Sequence, residues 1–335
     1  MRKRLETLTL IAAVVITLAG IHLYVAYLAP MSRTGAIKLI TVPRGASFRQ
    51  VASNLEDAGI VRDSESLIYL AWLFGSYKKI QAGEYELSAS MTPMDVLDTL
   101  VKGRVKTYPV VIPEGYNIDE IGRTLKEAGL ADAKQFIGRA RDRGLAASLG
   151  LPGSSLEGYL FPDTYQLTKG MSVEEIIVKM ADRFKSVYYK EYEPMARQNG
   201  VNMKTVVTLA SIIEKETGAP GERRLISAVF QNRLKKGIRL QSDPTVIYAI
   251  KNFDGNLTKR HLLQKTPYNT YVNYGLPPGP IANPGSESIR AALDPAPEGY
   301  LYFVSKNDGT HYFSKNLKEH NNAVNRYQKK MVFFR

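Results

Sequence analysis

The chain contains no cysteine, which excludes a disulfide framework, a thiolate nucleophile and any cysteine-based metal site. Histidine is scarce as well. The four are His22, His261, His311 and His320, and no two stand four residues apart as a helix-borne metal pair requires. Neither a metal nor a cofactor is expected. Long runs of one charge are missing: Arg2-Lys3-Arg4 is the longest basic run. Helix-turn-helix, zinc-finger and RNP patterns are missing too, so nucleic acid is not the expected partner.

The basic balance therefore needs another explanation. The 335 residues carry a formal net charge of +13 and a pI near 9.6, which favours anionic lipid or an anionic polymer. One stretch, Thr7 to Ala29, has no charged residue, and its length predicts a transmembrane helix. Arg2, Lys3 and Arg4 before it predict a cytoplasmic N-terminus and an extracytoplasmic remainder, anchored by a single pass. Tyr-Leu-Ala-Pro-Met at its end is a poor cleavage site, so a retained anchor is expected over a removed signal peptide.

Two segments echo each other 70 residues apart. Val42-Pro43-Arg44-Gly45-Ala46-Ser47-Phe48 matches Ile112-Pro113-Glu114-Gly115-Tyr116-Asn117-Ile118, and the echo continues through Leu55/Leu125, Ala58/Ala128 and Gly59/Gly129. Each copy predicts a short strand, a Pro-x-Gly turn, a Ser or Asn N-cap, and a helix closed by glycine. The first copy resembles the LysM pattern, which implies binding of N-acetylglucosamine-containing glycan; a plain α/β spacer is the alternative. The expected organisation is an anchor at 1–30, a LysM-like module at 31–107 and a catalytic domain at 108–335, whose 108–150 holds the second copy. The fold class is α+β: N-terminal transmembrane helix, small LysM-like α/β module, mixed α+β catalytic domain.

Chemistry-bearing motifs crowd into the last 180 residues. In order they are Leu156 to Tyr165 (LEGYLFPDTY), Ala210 to Thr217 (ASIIEKET), Asn232-Arg233-Leu234 and Leu240 to Tyr248 (LQSDPTVIY). Then come Tyr268 to Tyr271 (YNTY), the Pro/Gly-rich Gly275 to Gly285, and Tyr300 to Val304 followed by His311 and Asn321. This ordered set resembles the YceG-like family of endolytic murein transglycosylases. The resemblance implies cleavage of the MurNAc-β-1,4-GlcNAc bond of nascent peptidoglycan, giving 1,6-anhydroMurNAc ends and limiting strand length. It further implies peptidoglycan synthases at the membrane as partners. A non-catalytic glycan-binding scaffold and a hydrolase of the same bond are the alternatives.

Val201 to Thr217 predicts a helix with Asn202 as N-cap and Val206, Leu209, Ala210 and Ile213 on its apolar face. Glu214 falls inside that face and Glu216 borders its other edge, so helical phase excludes neither as the acid/base. A carboxyl on an apolar surface stays protonated towards neutral pH, as a general acid must. The resemblance implies that the first glutamate of the triplet, Glu214, is catalytic. A second carboxylate is not compulsory, because the sugar's own C6 hydroxyl is the attacking group. Glu157, Asp163, Gln241, Ser242, Asp243, Tyr268, Asn269 and Thr270 are candidates for binding sugar, each with a capping or loop-holding role as the alternative. Asn307-Asp308-Gly309 predicts a hairpin turn between Tyr300–Val304 and Thr310–Phe313.

Overall fold

The computed structural model describes residues 2–216 and 218–329. The chain divides into two compact units. One takes the chain up to Pro109 together with Gln166–Met171; the other takes Val110–Tyr165 and the chain from Ser172 onward.

The first unit opens on α1 (Arg2–Leu23), and here the expectation of a transmembrane helix is corrected. Arg2, Lys3, Arg4 and Glu6 lie within its first two turns, and after Leu23 the backbone continues as a π-helical segment, Tyr24–Leu28. The uncharged α-helical part therefore rises about 25 Å at about 1.5 Å per residue, against a hydrocarbon core of about 30 Å. Among the described residues no helix is long and apolar enough to cross a membrane. The orientation read from the basic N-terminus loses its basis with it.

Beyond α1 come β1 (Ile37–Val42), α2 (Phe48–Asp57), α3 (Ser64–Leu73), β2 (Gly83–Ser88) and α4 (Pro93–Val101). β1 and β2 pair antiparallel, from Ile37 opposite Ser88 to Val42 opposite Gly83. The helices pack over that ribbon around Phe48, Val51, Leu55, Leu67, Tyr85, Leu87 and Leu100, all buried. Ser47 caps α2, its hydroxyl accepting from the Gln50 N–H, while Asp63 caps α3 and Thr92 with Asp95 forms a capping box on α4. A later segment rejoins this unit: Lys169 lies 3.4 Å from the Glu84 carboxylate.

The chain passes between units in β3 (Tyr108–Val111) and again near β4 (Thr164–Leu167). In the second unit the repeated motif recurs with the same local geometry. Gly45 and Gly115 turn at φ 79° and 77°, and Gly59 and Gly129 close their helices at φ 65° and 68°, a left-handed conformation that glycine adopts without strain. Asn117 and Glu120 form the capping box on α5 (Ile118–Glu127). Then follow α6 (Ala133–Ala140), α7 (Arg143–Ser148), α8 (Val173–Val187) and α9 (Glu193–Gln198).

The centre of the unit is α10 (Met203–Glu216), packed against α11 (Arg223–Lys235), α12 (Asp243–Tyr248) and α14 (Ser286–Leu293), with the short α13 (Lys259–Leu262) between the last two in sequence. Thr217, the expected last residue of α10, lies outside the described residues. The predicted hairpin is present: β5 (Tyr302–Ser305) pairs antiparallel with β6 (His311–Ser314) across Asn307 at φ 65° and Gly309 at φ 86°, before α15 (Leu317–Val324). The mixed α+β character thus holds while the membrane helix does not.

Candidate active site

The site is built on the last turn of α10. Asn202 starts the helix by accepting from the Thr205 N–H at 2.9 Å, and every side chain from Val206 to Ile213 is buried. Such a helix cannot rotate, so the three charged residues that follow are aimed in fixed and different directions. Lys215 is exposed and donates to the Gly115 carbonyl at 3.2 Å.

Glu214 turns inward to an ion pair. Its side chain is only 5% exposed; one oxygen accepts from the Gly285 N–H at 2.9 Å and the other from the Arg223 guanidinium at 3.3 Å. Arg223 is itself held by Ser288 at 3.2 Å and lies 3.8 Å from a second carboxylate, Glu114. Burial pushes the Glu114 carboxyl above its usual range, and the Glu214 charge adds to that. A Cβ on Gly285 would fall on the Glu114 carboxyl, and one on Gly115 would sit 3.4 Å from Glu214 Cγ. The Pro113–Gly115 turn of the second repeat copy is therefore what covers Glu214.

Glu216 faces the other way, into a cavity of about 330 Å³ that it lines with Arg233, Gln241, Asp243, Tyr271, Tyr302 and His320. The Ser242 hydroxyl donates a short hydrogen bond to its carboxylate. Burial raises the Glu216 carboxyl to about 7, with the neighbouring Asp243 charge acting the same way; Ser242 and Arg233 oppose both. Its neighbours are positioned just as firmly. Arg233 donates to the Leu301 and Leu240 carbonyls, each at 2.7 Å, and its charge sits 5.0 Å over the Tyr302 ring. Tyr271 donates to Asp243 at 2.6 Å. Gln241 adopts φ 53°, a left-handed conformation that strains any residue other than glycine.

The residues singled out in the sequence separate into three groups. Gln241 and Asp243 line the cavity, and Ser242 touches its carboxyl. Thr270 supports it from behind, Asn269 holds its own loop, and Tyr268 packs on the tyrosine, Tyr248, that serves Glu157. Asn269 donates to the Leu262 and Gln264 carbonyls at 3.1 and 2.7 Å, Thr270 accepts from the Ser242 N–H at 3.0 Å, and the Tyr268 ring packs 4.9 Å from that of Tyr248. Glu157 is buried away from the cavity. It accepts from the Ile118 N–H at 3.2 Å, Asn283 at 3.2 Å and Tyr248 at 3.0 Å, and burial outweighs these donors to raise it to about 8. Asp163 belongs to neither cluster: it pairs with Arg183 at 2.7 Å and accepts from the Thr164 N–H.

Arg233, Tyr271, Tyr302 and His320 complete the cavity without having been candidates. The first three lie inside motifs already visible, but nothing in their spacing shows that a helix, a loop and a hairpin bring them to one place. His320 was only one of four scattered histidines. Its ring stacks on Tyr302 at 5.2 Å, and burial lowers its pKa, keeping it neutral.

A buried glutamate with a raised carboxyl, in a pocket walled by tyrosines and amide and carboxylate side chains, is an arrangement that acid–base enzymes of polar substrates use. Comparison with known proteins narrows that class. The YceG-like family model matches residues 40–326, and the chain belongs to that family. A relative named endolytic murein transglycosylase in Bacillus subtilis (strain 168) is 34% identical over 304 residues, covering 86% of this chain and 84% of that one. One of the same name in Streptococcus pneumoniae (strain ATCC BAA-255 / R6) is 30% identical over 322 residues, covering 85% of this chain and 57% of its own. The crystal structure of a yceG-like protein from Listeria monocytogenes aligns with a TM-score of 0.60 at 32% identity, covering 87% of this chain and all of that one.

Proposed function

We propose that this chain is an endolytic murein transglycosylase acting on the MurNAc-β-1,4-GlcNAc bond of peptidoglycan, and that Glu216 is its acid/base. The observation that carries the assignment is position: Glu216 lines a cavity of about 330 Å³ together with Gln241, Asp243 and Tyr271, and burial raises its carboxyl. Glu214, the residue that the family resemblance implies, is the second reading; it accepts from Arg223 and the Gly285 N–H. In this mechanism protonated Glu216 gives its proton to the glycosidic oxygen as the C1–O4 bond breaks. The C6 hydroxyl of the same MurNAc bonds to C1, and the Glu216 carboxylate takes the hydroxyl proton. The acid is regenerated without water, leaving a 1,6-anhydroMurNAc end and a free GlcNAc 4-hydroxyl. Gln241, Asp243 and Tyr271 supply donors and acceptors for sugar hydroxyls and acetamide groups.

Mass spectrometry of products from purified sacculi tests this reading: the anhydro end is about 18 Da lighter than a hydrolysed one. Asp243 in the same cavity favours one alternative, hydrolysis, since inverting and retaining glycosidases use a second carboxylate; a reducing-end MurNAc product establishes it. The pH profile follows from the direction of the Glu216 shift. The acid must be protonated to act, so cleavage is expected to fall as pH rises through about 7. A rate that climbs steadily from pH 6 to pH 8.5 contradicts that role.

The site of action in this proposal is outside the cytoplasmic membrane, where peptidoglycan lies, beside the synthases that polymerise the strands; cleavage there limits strand length. The first unit tethers glycan, a reading supported by the LysM-like pattern of its first strand, turn and helix and by a cavity of about 300 Å³ lined in part by Arg44 and Lys169. With Glu216→Gln blocking turnover, adding Arg44→Glu and Lys169→Glu is expected to weaken sacculus binding about tenfold. Unchanged binding reduces the unit to a spacer.

A further inference from the structure

The first unit carries apolar surface that neither the cavity nor the glycan reading uses. Along α3 and just past its end, Tyr69, Trp72, Leu73 and Phe74 are 52%, 69%, 56% and 55% exposed. Water-facing aromatic and aliphatic side chains in one patch mark an interaction surface. The Tyr69 and Trp72 rings lie 6.3 Å apart, and with Ile68, Tyr77 and Glu65 they form a shallow groove. Glu65 brings no free negative charge, because Arg49 pairs with it at 2.5 Å. Lys78 and Lys79 follow directly and are exposed.

Continuity with α1 identifies the occupant. The Tyr24–Leu28 segment that ends α1 packs against α3 and α4. Upstream, Leu10, Val14, Leu18 and Ile21 of α1 are all more than half exposed. Exposed apolar side chains thus stand on α1 and on α3, which the segment after α1 contacts, and the end of α3 adds aromatic rings and two lysines. A second protein matched to this surface would need its own long apolar strip. A bilayer supplies acyl chains, an interface that favours Trp and Tyr, and anionic headgroups for lysine, in that order outward.

We propose that the end of α3, from Tyr69 to Lys79, rests in the headgroup region of an anionic lipid surface, with Trp72 and Phe74 inserted and Lys78 and Lys79 at the phosphates. Trp72 is the only tryptophan in the chain, so its fluorescence reports this contact alone. The experiment uses the full-length protein with vesicles of phosphatidylethanolamine and phosphatidylglycerol, some carrying bromine on the upper acyl chain. Trp72 emission is expected to shift to the blue, to be quenched by the brominated lipid and to lose quenching by aqueous iodide. Lys78→Glu with Lys79→Glu is expected to weaken binding to these vesicles at least tenfold and to leave binding to neutral phosphatidylcholine vesicles unchanged; each lysine near such a surface contributes about fivefold. Leu73→Asp with Phe74→Asp is expected to abolish the bromine quenching. If the protein sediments with vesicles while Trp72 stays open to iodide and untouched by bromine, the proposal is wrong. If Trp72 is shielded without lipid and only at high protein concentration, the surface joins copies of the chain and the proposal is equally overturned.

Discussion

Glu216→Gln is expected to lower strand cleavage by 10²–10⁴-fold or more while the protein stays folded. A general acid–base group contributes that range, and a group that performs both proton transfers belongs at its upper end. Glutamine fits the same space and its amide still accepts from Ser242, but it cannot carry the proton. Stability is expected to rise slightly at neutral pH. A carboxyl raised to about 7 in the folded chain and near 4.5 when unfolded destabilises the fold as pH climbs between those values, and glutamine removes that penalty. Glu214→Gln is the counterpart. Among the described residues it leaves Arg223 with Glu114, 3.8 Å away, as its ion-pair partner, and it is expected to cost about 1–3 kcal/mol of stability with at most a tenfold loss of rate. The family resemblance points to Glu214; the cavity and the proton affinity point to Glu216. Anhydro product measured for both variants decides, and a dead Glu214→Gln beside an active Glu216→Gln makes Glu214 the acid/base.

Gly158→Ala is expected to damage the fold more than most core substitutions. Gly158 turns at φ 88°, and a Cβ there would lie 2.5 Å from two Pro280 carbons and 2.8 Å from Val207 Cγ1. All three residues are buried. Val207 is on α10 and Pro280 belongs to the Pro/Gly-rich loop that Ser211 holds by accepting from the Ile281 N–H at 3.1 Å. None of these atoms sits at the end of a flexible side chain that could swing aside. Left-handed strain of about 1–2 kcal/mol adds to overpacking of about 1–3 kcal/mol. The combined loss is expected at about 3 kcal/mol or more, read as a drop of several degrees or more in Tm. A Tm within one degree of the parent contradicts the packing described.

Elements governed by local rules were legible in the sequence. The two copies of the turn-and-helix motif carry their own glycines and caps, and α10 and the Asn307–Gly309 hairpin follow from periodicity and turn chemistry. Local rules failed at α1, where absence of charge gave the length of an apolar run but not the place where α-helical geometry ends, at Leu23. They failed again at the site. Helical phase put Glu214 inside the apolar face and Glu216 at its edge, and only long-range packing shows what each meets: Arg223 and Gly285 for one, Ser242 and the cavity for the other. Asp163 sits in an equally polar motif yet meets Arg183. Sequence spacing does not distinguish these outcomes, because the partners are far along the chain, 71 residues from Glu214 to Gly285 and farther still from Glu216 to His320.

The return of Gln166–Met171 to the first unit has a consequence for the order in which the molecule is made. Synthesis is vectorial, and the ribbon of β1 and β2 is complete some 80 residues before Lys169 exists to reach Glu84 and line the cavity beside Arg44. The first unit therefore waits, with one wall missing, while the intervening chain emerges and begins its own folding. Closing so distant a contact is slow relative to local helix formation. Through that interval the partly built unit is open to proteases and chaperones in a way the finished one is not.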